Sequence, residues 1–135
     1  MNSVYEYNIT KNKVSILFEG TQEPKDDVPK PRSGCAATNN GKNVYMFGGK
    51  DAENRLNDTW CFSLSNYKYQ KLAPAGHIPA ERNGHSLEHF NGKLYVFGGI
   101  HDITWELDDL QIYHIDVSNK FILEKLMDHS RARFS

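Results

Sequence analysis

His85 and His89 are four residues apart, so on a strand both rings leave the same face, as two ligands of one metal ion must. A metal centre needs at least a third ligand, and Glu88, between them, points the opposite way. The order is not His-Glu-x-x-His either, because Ser86 follows His85. Glu106, Asp108 and Asp109 form an acidic cluster of the type used for general acid–base work or cation binding. Glycoside hydrolysis needs two carboxyls facing each other across a substrate, whereas consecutive strand residues face apart. The cluster therefore reads as a solvated loop edge, with Asp109 set aside because it matches Asp58 earlier in the chain. No Gly-rich phosphate loop, Ser-His-Asp order or Cys-x-x-Cys is present. The expectation is a non-enzymatic protein with no cofactor and no metal.

Arg32, Arg82 and Arg133 recur at a nearly constant interval. A guanidinium could line a polar channel or grip a carboxylate through two parallel hydrogen bonds. A residue that returns at the head of each unit points first to the architecture of the repeat. The repeat itself is explicit: Val44-Tyr45-Met46-Phe47-Gly48-Gly49 returns as Leu94-Tyr95-Val96-Phe97-Gly98-Gly99, 50 residues on. Arg32-Ser33-Gly34 and Arg82-Asn83-Gly84 keep the same register. Leu56-Asn57-Asp58 returns as Leu107-Asp108-Asp109 after 51, so the intervening loop has gained a residue.

Each unit divides into four strand-like pieces, in the second at 84–90, 93–98, 109–116 and 120–126. They are short, rich in β-branched and aromatic residues, and bounded by Gly, Asn, Asp and Pro. Asn91-Gly92 supplies the positive φ angles of a tight type I′ hairpin, and Asn40-Gly41-Lys42 is its counterpart. Each Gly-Gly ends a second strand where the backbone bends or a ring approaches closely. Asn57-Asp58 and Asp108-Asp109 open the third strand, and Tyr69 and Phe121 mark the fourth. Four antiparallel strands every 50 residues or so match one propeller blade.

Composition excludes other classes. Of the 135 residues 39% are hydrophobic and 24% charged, and the net charge of −1 leaves no electrostatic footprint for nucleic acid or an anionic membrane. Apolar runs such as Leu94-Tyr95-Val96-Phe97 are strand-sized. Two cysteines, Cys35 and Cys61, are too few for a disulfide framework and fit a reducing compartment, so a cytoplasmic location is expected.

With these motifs in place the chain resembles the kelch-repeat family. The matching elements are Arg-x-Gly (Arg32 and Gly34; Arg82 and Gly84), His85-Ser86, Tyr-x-Phe-Gly-Gly (closing on Gly48-Gly49 and Gly98-Gly99), the Asn/Asp-Asp pairs ending in Asp58 and Asp109, and an aromatic before Lys71-Leu72 and Lys125-Leu126. It departs from the usual pattern in having Tyr69, Phe121 and Val14 where a fourth-strand Trp is common, and Cys35-Ala36 in place of His-Ser. The resemblance implies an all-β, partial kelch-type β-propeller: two complete four-stranded antiparallel blades plus the outer two strands of a preceding blade. The expected boundaries are 1–19 for those outer strands, 20–31 a linker, 32–72 a blade, 73–81 a linker, 82–126 a blade, and 127–135 the approach to a following one. A closed propeller has roughly 4–8 blades, so a segment of a longer chain is expected.

The resemblance also implies protein–protein binding through the loops between second and third strands, which emerge on one rim. Asn54 and Arg55 in the first loop, and His101, Ile103, Trp105 and Glu106 in the second, are the candidate contacts. Trp is favoured at interfaces, and the competing reading has Trp105 folding back over Leu107. Two alternatives stand beside this one. Some kelch propellers are metal-dependent enzymes or specifier proteins, although neither cysteine here has a supporting motif. A purely structural wedge could complete a ring by self-association through exposed blade faces.

Overall fold

A computed structural model describes residues 2–21, 23, 25–103, 105–115, 121–127 and 132–133; for 74–75, 121–127 and 132–133 it describes the backbone only. Every regular element among them is a β-strand: β1 (Val4–Asn8), β2 (Lys13–Phe18), β3 (Ala36–Asn39), β4 (Asn43–Lys50), β5 (Arg55–Ser63), β6 (Tyr69–Leu72), β7 (Pro74–Gly76), β8 (Ser86–Phe90), β9 (Lys93–Phe97), β10 (Ile100–Asp102), β11 (Trp105–Glu106), β12 (Leu110–Ile115), β13 (Phe121–Met127) and β14 (Ala132–Arg133). They form a two-stranded sheet β1-β2, a four-stranded sheet β3-β4-β5-β6, a five-stranded sheet β7-β13-β12-β9-β8 and a small sheet β10-β11-β14. The fold is all-β: β3-β4-β5-β6 and β13-β12-β9-β8 are antiparallel four-stranded sets as expected for propeller blades, the second extended by a parallel β7.

Turn chemistry sets the hairpins. Asn91 and Gly92 adopt φ of 50° and 72° between β8 and β9, the left-handed pair of a type I′ turn. In the first unit Gly41 takes φ of 89°, while Asn40 Oδ1 accepts the N–H groups of Lys42 and Asn43 at 3.0 and 2.8 Å. The innermost strands begin at Ala36 and Ser86, two residues later than an Arg-x-Gly start implies. Gly34 and Gly84 sit at φ of 63° and 69°, a left-handed bend that turns the chain just ahead of each strand.

Three further differences from the sequence expectation have local causes. In the first unit β5 starts at Arg55, so Asn57 and Asp58 lie inside the strand; in the second, β12 starts after Asp109. The loop of the second unit is not irregular, because β10 and β11 pair across it. Residues 74–76, expected to be plain linker, run parallel to the outer strand as β7, with Phe121 opposite Pro74 and Leu123 opposite Gly76. Backbone groups on that outer edge thereby gain partners that a bare linker would not provide. The fourth-strand aromatic Phe121 lies in β13, but its side chain is outside the described residues, as are Thr104 and the side chain of Arg133.

Alternation gives each sheet two faces. On the first sheet Tyr45 pairs with Cys61 and Phe47 with Thr59, placing all four on the face toward the second sheet. The second sheet answers with Leu87, Leu94, Val96 and Tyr113. Together with Leu72 these form one buried core between the sheets. Phe47 is fully covered, at 0% exposure, by the His85 and Tyr113 rings at centroid distances of 5.3 and 5.9 Å. Polar contacts cross the same boundary: the Gly84 N–H donates to Gly34 O at 2.9 Å, the His89 N–H to Thr38 Oγ1 at 3.2 Å, and the Thr59 hydroxyl to Tyr113 Oη at 3.3 Å. On its other face the first sheet receives Phe18 of β2, packed edge-on against Phe62 and Tyr69.

Candidate functional site

The recurring arginines build the same constellation twice. Arg82 donates from Nε to Ala80 O (3.1 Å) and from Nη1 to Gly98 O (3.0 Å), then grips Asp109 with Nη1 and Nη2 at 2.6 and 2.8 Å. Arg32 repeats every bond 50 residues earlier, with Lys30 O, Gly48 O and both oxygens of Asp58. A second N–H completes each carboxylate: Trp60 Nε1 on Asp58 and Gln111 Nε2 on Asp109, both at 2.7 Å. Burial opposes ionisation of Asp58 and Asp109, but the arginine and side-chain hydrogen bonds outweigh it and hold both below the usual carboxylate range. Arg82 is 0% exposed. A guanidinium so enclosed and so bonded cannot reach a ligand.

His85 donates from Nε2 to Phe47 O at 2.8 Å, since a carbonyl only accepts; its buried Nδ1 has no partner among the described residues. Burial, with Arg82 adding to it against the Phe47 bond, pushes its pKa below the ordinary histidine value. His89 stacks on Tyr45. Among the described residues no three His, Cys, Asp or Glu side chains converge as a metal would require, and Cys35 and Cys61 are both free thiols. The Asp51–Asn54 turn bends the first rim loop sharply, because Asp51 Oδ1 accepts the N–H groups of Glu53 and Asn54.

The rim loops carry the remaining candidates. Asn54 is exposed, but Arg55 is half-buried and donates from Nε to Asn83 Oδ1 of the second unit at 2.7 Å. Arg55 is thus a strut between units. In the second loop His101 Nδ1 donates to Glu81 O at 2.7 Å, and the half-buried Trp105 sits edge-on to its ring at 5.8 Å. Leu107 is buried below. Asp102 caps the Ile103 N–H at 2.7 Å, and Ile103 stands 79% exposed at the tip. Glu106 is half-buried in β11. The structure therefore brings His101, Ile103, Trp105 and Glu106 together, and leaves Asn54 and Arg55 on a separate turn.

Sequence reasoning passed over two recurring contacts. Asn2 Nδ2 donates to Pro29 O at 2.9 Å, and Asn57 Nδ2 to Pro79 O at 3.1 Å; both prolines are buried and stand three residues before the unit's arginine. The Trp60/Gln111 equivalence was likewise invisible, since the two side chains share only an N–H at the right reach.

No helix among the described residues is long and apolar enough to cross a membrane. Residues 1–127 match the model of the KLHDC2/KLHL20/DRC7 Kelch-repeats domain. Similar curated proteins include the tRNA wybutosine-synthesizing protein 2/3/4 of Oryza sativa subsp. japonica, 35% identical over 55% of this chain and 7% of that protein. Kelch domain-containing protein 2 of Bos taurus is 32% identical over 64% of this chain and 22% of its own length. Kelch-like protein 25 of Homo sapiens is 35% identical over 56% and 13%. The chain thus spans less than a quarter of the length of each of these relatives. A family match over nearly all of its residues, on sheets whose Arg–Asp clamps and Gly-Gly bends repeat with the same period, identifies the chain as a member of the kelch-repeat family.

Proposed function

We propose that this chain is a non-catalytic protein-binding segment that holds a partner protein on its rim, chiefly through the 100–107 loop. Domains of this family are generally interaction modules. The observation that carries the reading is Ile103, 79% exposed at the tip of a loop braced beneath by the His101–Glu81 hydrogen bond and the Trp105 ring. An apolar side chain held out on a rigid support loses little conformational entropy when it docks, which favours affinity. Glu106 supplies a polar contact in the same loop, and Asn54 offers a second, separate one on the rim loop of the first unit.

A photo-crosslinking amino acid placed at Ile103 tests this in cells, with the exposed Lys13 as control position. The expected result is a discrete protein adduct at 103 and not at 13. The same partner, purified, should bind saturably and should lose affinity by about tenfold or more with Ile103→Asp, the loss of one anchoring side chain. Adducts no stronger at 103 than at 13, or binding indifferent to Ile103→Asp, would remove the rim loop from the reading.

A further inference from the structure

The net charge of −1 is a sum, and the fold divides it between two ends. In the antiparallel sheet β3-β4-β5-β6 the β3–β4 and β5–β6 turns leave one end, and the loop between β4 and β5 leaves the other. The Leu64 N–H donates to Lys42 O at 2.9 Å, tying those two turns together. Strands β3 and β8 run side by side in one direction, joined by Gly84 to Gly34 near their starts and by His89 to Thr38 near their ends. The β8–β9 turn therefore stands at the same end. The β1–β2 turn repeats the β5–β6 turn 55 residues earlier. Ile9 takes the place of Leu64, and Asn12 the left-handed place of Tyr67, at φ of 51° and 56°.

Every charged side chain in these four turns is positive. Residues 8–13, 39–43, 63–69 and 90–93 hold Lys11, Lys13, Lys42, Lys68 and Lys93 and no Asp or Glu. All but the half-buried Lys93 are exposed, and none of the five forms an ion pair among the described residues. Asparagines fix three of them in place: Asn8, Asn40 and Asn66 accept the N–H groups of Lys11, Lys42 and Lys68 at 2.9, 3.0 and 3.1 Å. Apolar tips stand among the lysines, with Ile9 84%, Phe90 70%, Tyr67 42% and Leu64 37% exposed. The exposure of Phe90 belongs to its place in the turn, because its counterpart Asn40 is also exposed with the second unit beside it. At the opposite end the exposed Glu19, Glu23, Asp26, Asp27, Glu53 and Asp102 outnumber the exposed Lys25, Lys30 and Lys50.

We infer that this end of the strands docks on an anionic lipid surface, with Ile9, Leu64, Tyr67 and Phe90 entering the headgroup boundary and the five lysines meeting the headgroup charge. The tips of separate hairpins are convex and enclose no pocket for a rigid partner. A fluid surface closes round each tip, while lysine stems lie along its apolar zone and their ammonium groups stay at the phosphates. The absence of an electrostatic footprint follows from the net charge and does not extend to a face on which one sign stands alone. Ile103 lies at the opposite end of the strands, so this inference and the protein-binding reading stand or fall independently.

Co-sedimentation of the intact chain with two kinds of vesicle tests this: phosphatidylcholine alone, and phosphatidylcholine with about 30% phosphatidylserine. The expected result is saturable binding about tenfold or more tighter to the anionic vesicles, lost as salt rises toward about 1 M and screening shortens. Lys13→Glu with Lys68→Glu should weaken that binding by about tenfold or more, whereas Lys30→Glu with Lys50→Glu, at the other end, should have little effect. Ile9→Asp with Phe90→Asp should weaken it as well, with circular dichroism verifying that these exposed substitutions leave the fold intact. Ile103→Asp should leave vesicle binding unchanged. Equal affinity for neutral and anionic vesicles, or equal losses from charge reversal at either end, would overturn the inference. So would binding of a soluble poly-glutamate peptide through the same lysines without binding of vesicles, which would assign the face to an acidic protein.

Discussion

Arg82 and Asp109 form an ion pair whose guanidinium is wholly shut off from water. Removing the carboxylate leaves a buried charge without its counterion, so Asp109→Ala should lower unfolding stability by about 3–5 kcal/mol in urea titrations. Asp58→Ala should cost less, because the Asp58 side chain is 20% exposed and water can reach Arg32 through the gap. Since both carboxyls are held below their ordinary range, their contribution is complete above about pH 4, the unfolded carboxylate value, and declines as pH falls through the folded values. His85 works at milder pH. Its folded pKa is depressed, so below about pH 6.5 the unfolded chain takes up the proton first and stability declines. Stability measured at pH 7 and pH 5 should therefore fall in the wild type. It should fall less in His85→Gln, whose amide can still donate to Phe47 O. The thiols should also diverge. Burial raises the Cys61 pKa, so alkylation of the native chain at neutral pH should label Cys35 well before Cys61.

At the scale of strands and turns, the legible parts were those where one residue type has one conformational use. Asn91-Gly92 announces its turn because few other pairs tolerate two left-handed residues, and the Gly-Gly bends announce themselves similarly. The bends differ in what surrounds them. A Cβ on Gly49 would fall 2.9 Å from both Cys35 Cβ and Ser33 O, at φ of 100°, while Gly41, also left-handed, has nothing within 4 Å. Gly49→Ala should thus destabilise by clearly more than the roughly 1–2 kcal/mol of a left-handed alanine, and Gly41→Ala by about that amount, in paired thermal melts. The elements that escaped notice have no composition of their own. Strand β7 is a three-residue run of Pro, Ala and Gly, placed by the outer strand beside it rather than by any alternation. Arg55 read as a free rim contact because its partner, Asn83, lies in the next unit, where local pattern cannot reach. The rim hairpin β10-β11 was hidden for a related reason: its two short strands carry His, Asp and Glu, residues equally at home in a loop.

For the molecule as a whole, cohesion is concentrated where the four-stranded and five-stranded sheets meet. Phe47 and Phe97 occupy one position of the repeat and do not share one environment, so the same substitution reads out the difference. Phe47→Ala should cost about 3–5 kcal/mol, as for a large core residue, and Phe97→Ala less than about 1 kcal/mol, as for a surface one. Equal losses would mean that the half-exposed ring is as well enclosed as its counterpart. The parallel pairing of Pro74–Gly76 with Phe121–Leu123 bears on the order of assembly. Most strand partners in this chain are hairpin neighbours, able to zip within microseconds. That pairing instead joins segments 47 residues apart, and it cannot form until both intervening hairpins have brought the outer strand round. Loop-closure entropy and topology make it a late event in folding. Being only three residues long, it is also an early one in opening, so amide exchange along β7 should outpace that of the strands it borders, and the join between units should loosen from its outer end inward.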